Sequence, residues 1–363
     1  MSDVLVPFNA LRPGEDAAAI AAAIARVVES GWFVLGPEVE AFEAEFAAAC
    51  GTTHAVGVGT GTDAITLILR ALDIGPGDEV ITPPLSAAYS ALAVMMAGAR
   101  PVFADIDPIR LTLDPAALDA AITPRTRAVL PVHLYGQPAD MTPILAVAAR
   151  HGLAVVEDCA QAHLATSEGR PVGTMGVAGA FSFYPTKNLG ALGDGGAVVT
   201  GDAALAARVK RLRNGGQTSR YHHQEAGANS RLDEIQAAIL RARLPHLRRW
   251  TDRRRRIAAA YRAGIGAPDI QVPPQLDEGH VYHLFPVIAP DRAAVQSRMA
   301  ALGVETLIHY PVPIPRQPAL AGMAPAPCPV ADRVCDQVLS LPMYPALTDA
   351  QVEQVIAAAN LRT

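Results

Sequence analysis

The chain has 363 residues, half of them apolar, and a net charge of −5, so it can bury a sizeable core and does not read as a general nucleic-acid binder. No apolar run approaches the roughly 20 residues of a membrane span, and Met1-Ser2-Asp3-Val4 lacks the basic start and apolar centre of a signal peptide; a cytoplasmic protein is expected. Cys50, Cys159, Cys328 and Cys335 show no metal-type spacing and are expected to stay reduced.

Ile20, Ile24, Val27 and Val28 recur at helical spacing within 16–29, and Gly31 follows as a stop. Residues 37–50 form a second helix, with Pro37 in its first turn, Val39, Phe42 and Phe46 on one stripe, and Gly51 at its end. Strands and helices then alternate: strand 54–58, helix 62–72, strand 79–82, helix 86–97, strand 101–104, helix 114–122, strand 128–132, helix 142–151 and strand 153–156. This α/β alternation predicts a mostly parallel sheet covered on both faces, with ligands beyond the carboxyl ends of the strands. Two such ends stand out, Asp158 and the turn Gly59-Thr60-Gly61-Thr62. The turn is similar to a dinucleotide fingerprint but lacks its third glycine, so nicotinamide binding is disfavoured. Its small residues and the helix start behind it can still hold one phosphate, or Thr62 can cap the helix.

Further on, 197–200 reads as a strand and 203–212 as a helix. A polar loop over 214–227 carries His222-His223, a pair without a Cys or acid cluster and therefore not a metal site. Helices over 229–244 and 247–261 follow; Arg253 to Arg256 read as a solvated face. The Gly- and Pro-rich 264–280 links a large domain, 1–263, to a smaller one, 264–363, containing a strand 283–289, a helix 291–302, a strand 307–310, a proline-rich loop 311–329 and a helix 349–361.

The most informative stretch lies between Leu153 and Gly196. An apolar run ends in Glu157-Asp158; a second β-like run, 180–184, leads into Pro185-Thr186-Lys187-Asn188, and Gly193-Asp194-Gly195-Gly196 closes it. Lys187 is the lone basic residue between Pro171 and Arg208, set among aromatic, apolar and glycine neighbours. Such a lysine is partly desolvated, which favours the neutral, nucleophilic amine. A strand-end carboxylate and an isolated lysine are what a pyridoxal phosphate enzyme needs: the amine forms the Schiff base, and the acid keeps the pyridine nitrogen protonated. Ser182 can offer its hydroxyl to the phosphate.

Taken together, several segments resemble the DegT/DnrJ/EryC1/StrS family of nucleotide-sugar aminotransferases. They are Gly59 to Ala64, Gly75 to Ile81, Pro131 to Gln137, Glu157 to His163, Phe181 to Leu189, Gly193 to Gly196, Asn229 to Asp233, His309 to Pro313 and Gln317-Pro318. The resemblance implies the aspartate aminotransferase fold (fold type I), with a seven-stranded sheet and a smaller carboxy-terminal α+β domain, and a homodimer with shared active sites. It implies Lys187 as the Schiff-base lysine and Asp158 as partner of the pyridinium nitrogen, with Gln161 near the ring. Gly61, Thr62, Asp63 and Ser182 would hold the phosphate, joined by Asn229 of the neighbouring subunit. Arg231, His309 and Tyr310 match positions that meet the sugar nucleotide, and Tyr184 and Tyr89 are further candidates for substrate contact. Two departures stand out: Ser86-Ala87 replaces the family's Thr followed by a ring-stacking aromatic, leaving Tyr89 as the nearest aromatic, and Pro315 replaces a frequent His.

The implied reaction is a two-stage transamination. L-glutamate displaces Lys187 from the aldehyde, and the freed amine moves a proton between the α-carbon and the cofactor C4′. A nucleotide-linked keto-sugar then takes the amino group by the reverse steps, and Tyr310 to Pro313 look like the branch that aminates C3 of a dTDP- or UDP-sugar. Its diphosphate requires local cations such as Arg231. The alternatives are a dehydratase of the same family, in which His typically replaces the lysine, and a regulatory member without catalysis.

Overall fold

The computed structural model describes residues 6–323 and 325–361, so the Met1 to Val4 segment lies outside the described residues. Two helices open the chain, α1 (Ala17–Ser30) and α2 (Pro37–Cys50). Pro37 starts α2 and Gly51 ends it at φ 72°, as its side-chain-free backbone allows. There follow β1 (His54–Val58), α3 (Gly61–Ala71), β2 (Glu79–Thr82), α4 (Tyr89–Met96), β3 (Arg100–Phe103), α5 (Pro115–Ala121), β4 (Thr126–Val129), α6 (Met141–His151) and β5 (Ala154–Asp158). A short hairpin, β6 (Thr166–Ser167) and β7 (Arg170–Pro171), precedes β8 (Ala178–Ser182), β9 (Gly196–Thr200) and α7 (Ala203–Leu212). A second hairpin, β10 (Gln217–Ser219) and β11 (His222–His223), lies inside the polar loop and contains the histidine pair. The chain continues through α8 (Glu234–Arg243), α9 (Leu247–Gly264), β12 (Phe285–Ile288), α10 (Arg292–Ala301), α11 (Pro329–Gln337), β13 (Val338–Leu341) and α12 (Asp349–Asn360).

Seven strands make the central sheet in the order β1-β9-β8-β5-β4-β2-β3. The pairs β2–β3, β2–β4, β4–β5 and β5–β8 are parallel, whereas β9 runs against both β8 and β1. The sheet is thus mostly parallel, as the alternation predicts, with one reversed strand where β8 turns straight back through the Lys187 loop. One apolar core packs α3 and α7 on the sheet through Val58, Ile65, Ile68, Val156, Val198 and Val209. Another joins Ile257 and Tyr261 of α9 to Phe285, Val287, Leu341 and Val355. No helix among the described residues is long and apolar enough to cross a membrane. All four cysteines are buried and unpaired.

Several boundaries differ from the periodicity, each for a local reason. Helix α4 starts at Tyr89 rather than Ser86. Helix α8 starts at Glu234 rather than Asn229, because the backbone before it is spent elsewhere: Asn229 bridges Asn214, and Asp233 bridges Val34. The Glu234 carboxylate accepts the N–H groups of Gly36, Glu38 and Val39 and so caps the neighbouring α2. Residues 307–310 contribute one bridge, Leu307 to Ser340, instead of a strand. The arginine run is not a uniformly solvated face, since Arg254 is 4 % exposed. Its guanidinium donates to the carbonyls of Tyr282, His283 and Met343, and burial lowers its pKa to about 9.

Candidate active site

Side chains alternate along a strand, and the end of β5 uses that alternation to separate two adjacent acids. Glu157 faces the protein interior. It accepts N–H groups from Gly173, Met175 and Gly176 and the Nε2–H of His133 at 3.0 Å. His133 Nδ1 in turn accepts the N–H of Ala139, which fixes the proton on Nε2. Burial would raise the Glu157 pKa, but the His133 and backbone hydrogen bonds prevail and hold it below the ordinary carboxylate value. Cys159 lies beside this pair, yet the Glu157 and His133 lone pairs are already engaged within the protein.

Asp158 points the other way, into a cavity of about 840 Å³ at the carboxyl ends of the strands. Its Oδ2 accepts the Ser90 hydroxyl at 2.8 Å and its Oδ1 the N–H of Ala160 at 3.0 Å. Lys187 enters the same cavity from the turn between β8 and β9 and is the sole lysine or arginine lining it among the described residues. Burial lowers the Lys187 pKa from 10.5 to about 8, and the charge of Asp158 works in the opposite direction. Three histidines near the amine stay neutral. Burial first and the Lys187 charge second push His309 down to about 4, His163 to about 3, and His283 well below its ordinary value. The His283 tautomer follows from its partner: Asn188 gives its amide N–H to the Val281 carbonyl, so its oxygen accepts the His283 Nδ1–H.

One end of the cavity suits a phosphate. Thr60, not Thr62, is the N-cap of α3, with its hydroxyl accepting the Asp63 N–H at 3.0 Å. The backbone N–H groups of Gly61 and Thr62 lie at that free helix start, against Ser182. A Cβ on Gly61 would come within 2.7 Å of the Ser182 Cβ, so a side chain there would displace the helix start from the serine. An anion site, an acid and an amine around one cavity fit pyridoxal phosphate.

Of the residues named from sequence, Gly61, Thr62, Asp158, Gln161, Ser182, Lys187, Tyr89, Tyr184, His309 and Tyr310 line the cavity. Gln161 accepts the Tyr135 N–H and donates to the Tyr310 hydroxyl at 3.0 Å. Three others do not line it. Asp63 accepts the Ser230 hydroxyl at 2.8 Å, tying α3 to the segment before α8. Asn229 is exposed, and Arg231 donates to the Asn214 side chain. At the two departures from the family pattern, Ala87 and Tyr89 both line the cavity, with Tyr89 65 % exposed at its mouth, and Pro315 is buried outside it.

Thr60, Ser86 and Asp194, named above only within their motifs, also line the cavity, and sequence reasoning missed Ser90, His283 and the amino-terminal residues Phe8 and Asn9. The spacing of Ser86 and Ser90, four residues apart beside a sheet, was a usable signal. Phe8 had none, because it reaches the site by tertiary contacts: its N–H donates to Glu305 and its ring stacks on His309 at 5.4 Å.

Residues 15–360 match the DegT/DnrJ/EryC1/StrS aminotransferase family. The chain is 53 % identical to dTDP-3-amino-3,4,6-trideoxy-alpha-D-glucose transaminase of Streptomyces venezuelae, over 99 % of this chain and 94 % of that protein. It is 48 % identical to UDP-N-acetyl-3-dehydro-alpha-D-glucosamine 3-aminotransferase of Acidithiobacillus ferrooxidans, over 92 % of this chain and 90 % of that one. The crystal structure of S. venezuelae DesV in complex with a ketimine intermediate superposes with a TM-score of 0.95 at 52 % identity, covering 98 % of this chain and 97 % of that one.

Proposed function

This chain belongs to the DegT/DnrJ/EryC1/StrS aminotransferase family, and from that premise we propose a role for each group around Lys187. The protein is a pyridoxal-phosphate-dependent enzyme of the aspartate aminotransferase fold that transfers an amino group to a nucleotide-linked keto-sugar in amino-sugar biosynthesis. In our reading Gly61, Thr62 and Ser182 hold the phosphate, Asp158 partners the pyridine nitrogen, and Lys187 is the catalytic amine. Bound there, the cofactor supplies an aldehyde that takes up amino groups and a ring that draws electrons from the adjoining carbon.

The side chains do the rest. Lys187, with its pKa brought down to about 8, is partly neutral near physiological pH and can remove a proton from the amine-bearing carbon and return it. Asp158 holds a proton on the ring nitrogen. Gln161 orients the Tyr310 hydroxyl over the cavity, and burial raises that phenol to about 12, so it stays protonated and donates or accepts hydrogen bonds without ionising. His309 stays neutral beside it and adds no charge to the sugar-binding wall.

The amino donor in this proposal is L-glutamate, and the acceptor a dTDP- or UDP-linked 3-keto sugar; the names of the two relatives, both C3-amino transferases, support the ring position. We further assign a homodimer. Among the described residues the cavity is lined by no arginine for a diphosphate, and neither Asn229 nor Arg231 of the same chain lines it. The consecutive apolar residues Trp32, Phe33 and Val34 are all exposed. Pairing two chains covers that run and brings Asn229 and Arg231 to the partner's cavity.

The observation that carries the reading is the isolation of Lys187, one cation in a cavity shared with Asp158. The test is a panel of nucleotide keto-sugars incubated with glutamate, with products identified by mass and NMR. Formation of 2-oxoglutarate and a 3-amino sugar is expected; absence of any aminated sugar across the panel would overturn it.

A further inference from the structure

Helix α4 puts a serine where the cavity's acid needs a partner. Ser90 is 2 % exposed and Asp158 5 %, so neither group exchanges its hydrogen bonds freely with water. The Ser90 hydroxyl has one hydrogen and gives it to Asp158 Oδ2 at 2.8 Å. A helical serine ordinarily spends that hydrogen on a carbonyl of the preceding turn or on water; this one spends it on the carboxylate. Ser86, four residues earlier in the segment before α4 and also lining the cavity, lies 3.4 Å from the Ser90 oxygen. With the Ser90 hydrogen committed to Asp158, the Ser86 hydroxyl is the donor in that contact. The other carboxylate oxygen is held by the Ala160 N–H at 3.0 Å. One donor on each oxygen, arriving from two different elements, fixes the plane of the carboxylate and leaves a lone pair on each oxygen facing the cavity.

The position of α4 is itself pinned. Ile65 and Ile68 of α3 share one apolar core with Ala93 and Val94 of α4, and the Thr66 hydroxyl shares its hydrogen between the Thr62 carbonyl at 3.0 Å and the Ala93 carbonyl of α4 at 3.1 Å. The helix whose start presents Gly61 and Thr62 to the phosphate therefore also sets the depth of Ser90 against the acid.

We propose that Ser90 is a positioning residue for Asp158, with Ser86 behind it, so that two hydroxyls in series hold the carboxylate in one orientation towards the cavity. The inference rests on Asp158 being the partner of the ring nitrogen. It assigns no chemical step to either serine; they act through the carboxylate.

The test uses the full-length protein stripped of cofactor and titrated with pyridoxal phosphate by absorbance, so that it does not depend on turnover. Ser90→Ala is expected to weaken binding about tenfold or more, the scale of a lost hydrogen bond to a charged group, and to shift the pH at which the visible band of the bound cofactor changes. Ser90→Thr keeps the hydroxyl and is expected to restore both; thermal melting of each variant shows that the fold is intact. Asp158→Asn is measured in parallel. If Asp158→Asn changes affinity and spectrum while Ser90→Ala leaves both at wild-type values, the proposal fails and the role of Asp158 stands. If Asp158→Asn also changes neither, the role of Asp158 fails and takes the proposal with it.

Discussion

The Asp158 carboxylate and the Lys187 amine line one cavity, and the charge of the acid opposes the burial that brings the amine down to about 8. The acid is the last residue of a parallel strand and the lysine lies in the turn that reverses the next one, so two neighbouring strand ends meet over one volume.

The depressed amine has a pH signature in the cofactor-free protein. Below about 8 the ammonium dominates and cannot attack. Arylation of Lys187, followed by peptide mass analysis, should rise about tenfold per pH unit and level off near pH 8 rather than near the ordinary 10.5. A plateau above pH 10 would show an ordinary exposed lysine. The same depression means the unfolded chain holds its proton longer, so the cofactor-free fold should gain stability as pH rises from about 8 towards 10.5.

Lys187→Ala should abolish the visible band of the lysine-linked cofactor and lower kcat at least about a thousandfold, while pyridoxal phosphate still binds through the phosphate end. Borohydride reduction followed by mass spectrometry checks this: wild-type protein should carry the cofactor on a peptide containing Lys187. Covalent label on the variant would point to a different lysine.

Glu157 tests the support rather than the site. Its carboxylate is enclosed by four donors, and Glu157→Gln would set an amide N–H₂ against backbone N–H groups, at a cost of about 3 kcal/mol. Because the folded pKa lies below the ordinary 4.5, the stability Glu157 contributes is present above pH 4.5 and drains away as pH falls through the folded value. Urea unfolding should show the Glu157→Gln deficit at pH 7 and a smaller one in acid; an equal deficit at both would sink this account.

If two subunits share their sites as proposed, their variants should complement. Lys187→Ala and Asn229→Ala are each expected to be weak or inactive alone. Random mixing after reversible dissociation should restore about a quarter of wild-type activity, since half the dimers carry one site with both residues intact. No recovery in mixtures shown by sedimentation to be dimeric would place both residues in the same subunit's site.

Much of this was legible in the residues before folding. Pro37, Gly51 and the Phe42–Phe46 stripe bound α2 at both ends, because its caps are local. Lys187 and Asp158 stood out for the same reason: a strand end and a glycine-bounded turn are local features. What the chain hid is what tertiary partners decide. The start of α8 depends on whether Asn229 and Asp233 bridge to Asn214 and Val34. Arg254 looks like its neighbours until the carbonyls of Tyr282 and Met343 converge on it. Phe8 became part of the cavity wall through a residue almost three hundred positions away, Glu305.

The Arg254 contacts also stiffen one wall of the chamber. His283 and Met343 are cavity residues, and both lend their carbonyl oxygens to that one guanidinium. Swinging this wall outward would strand a buried cation at a cost of several kcal/mol, so the back of the chamber behaves as a latched panel. Tyr89 and Tyr184, each more than half exposed, mark where the chamber opens to solvent.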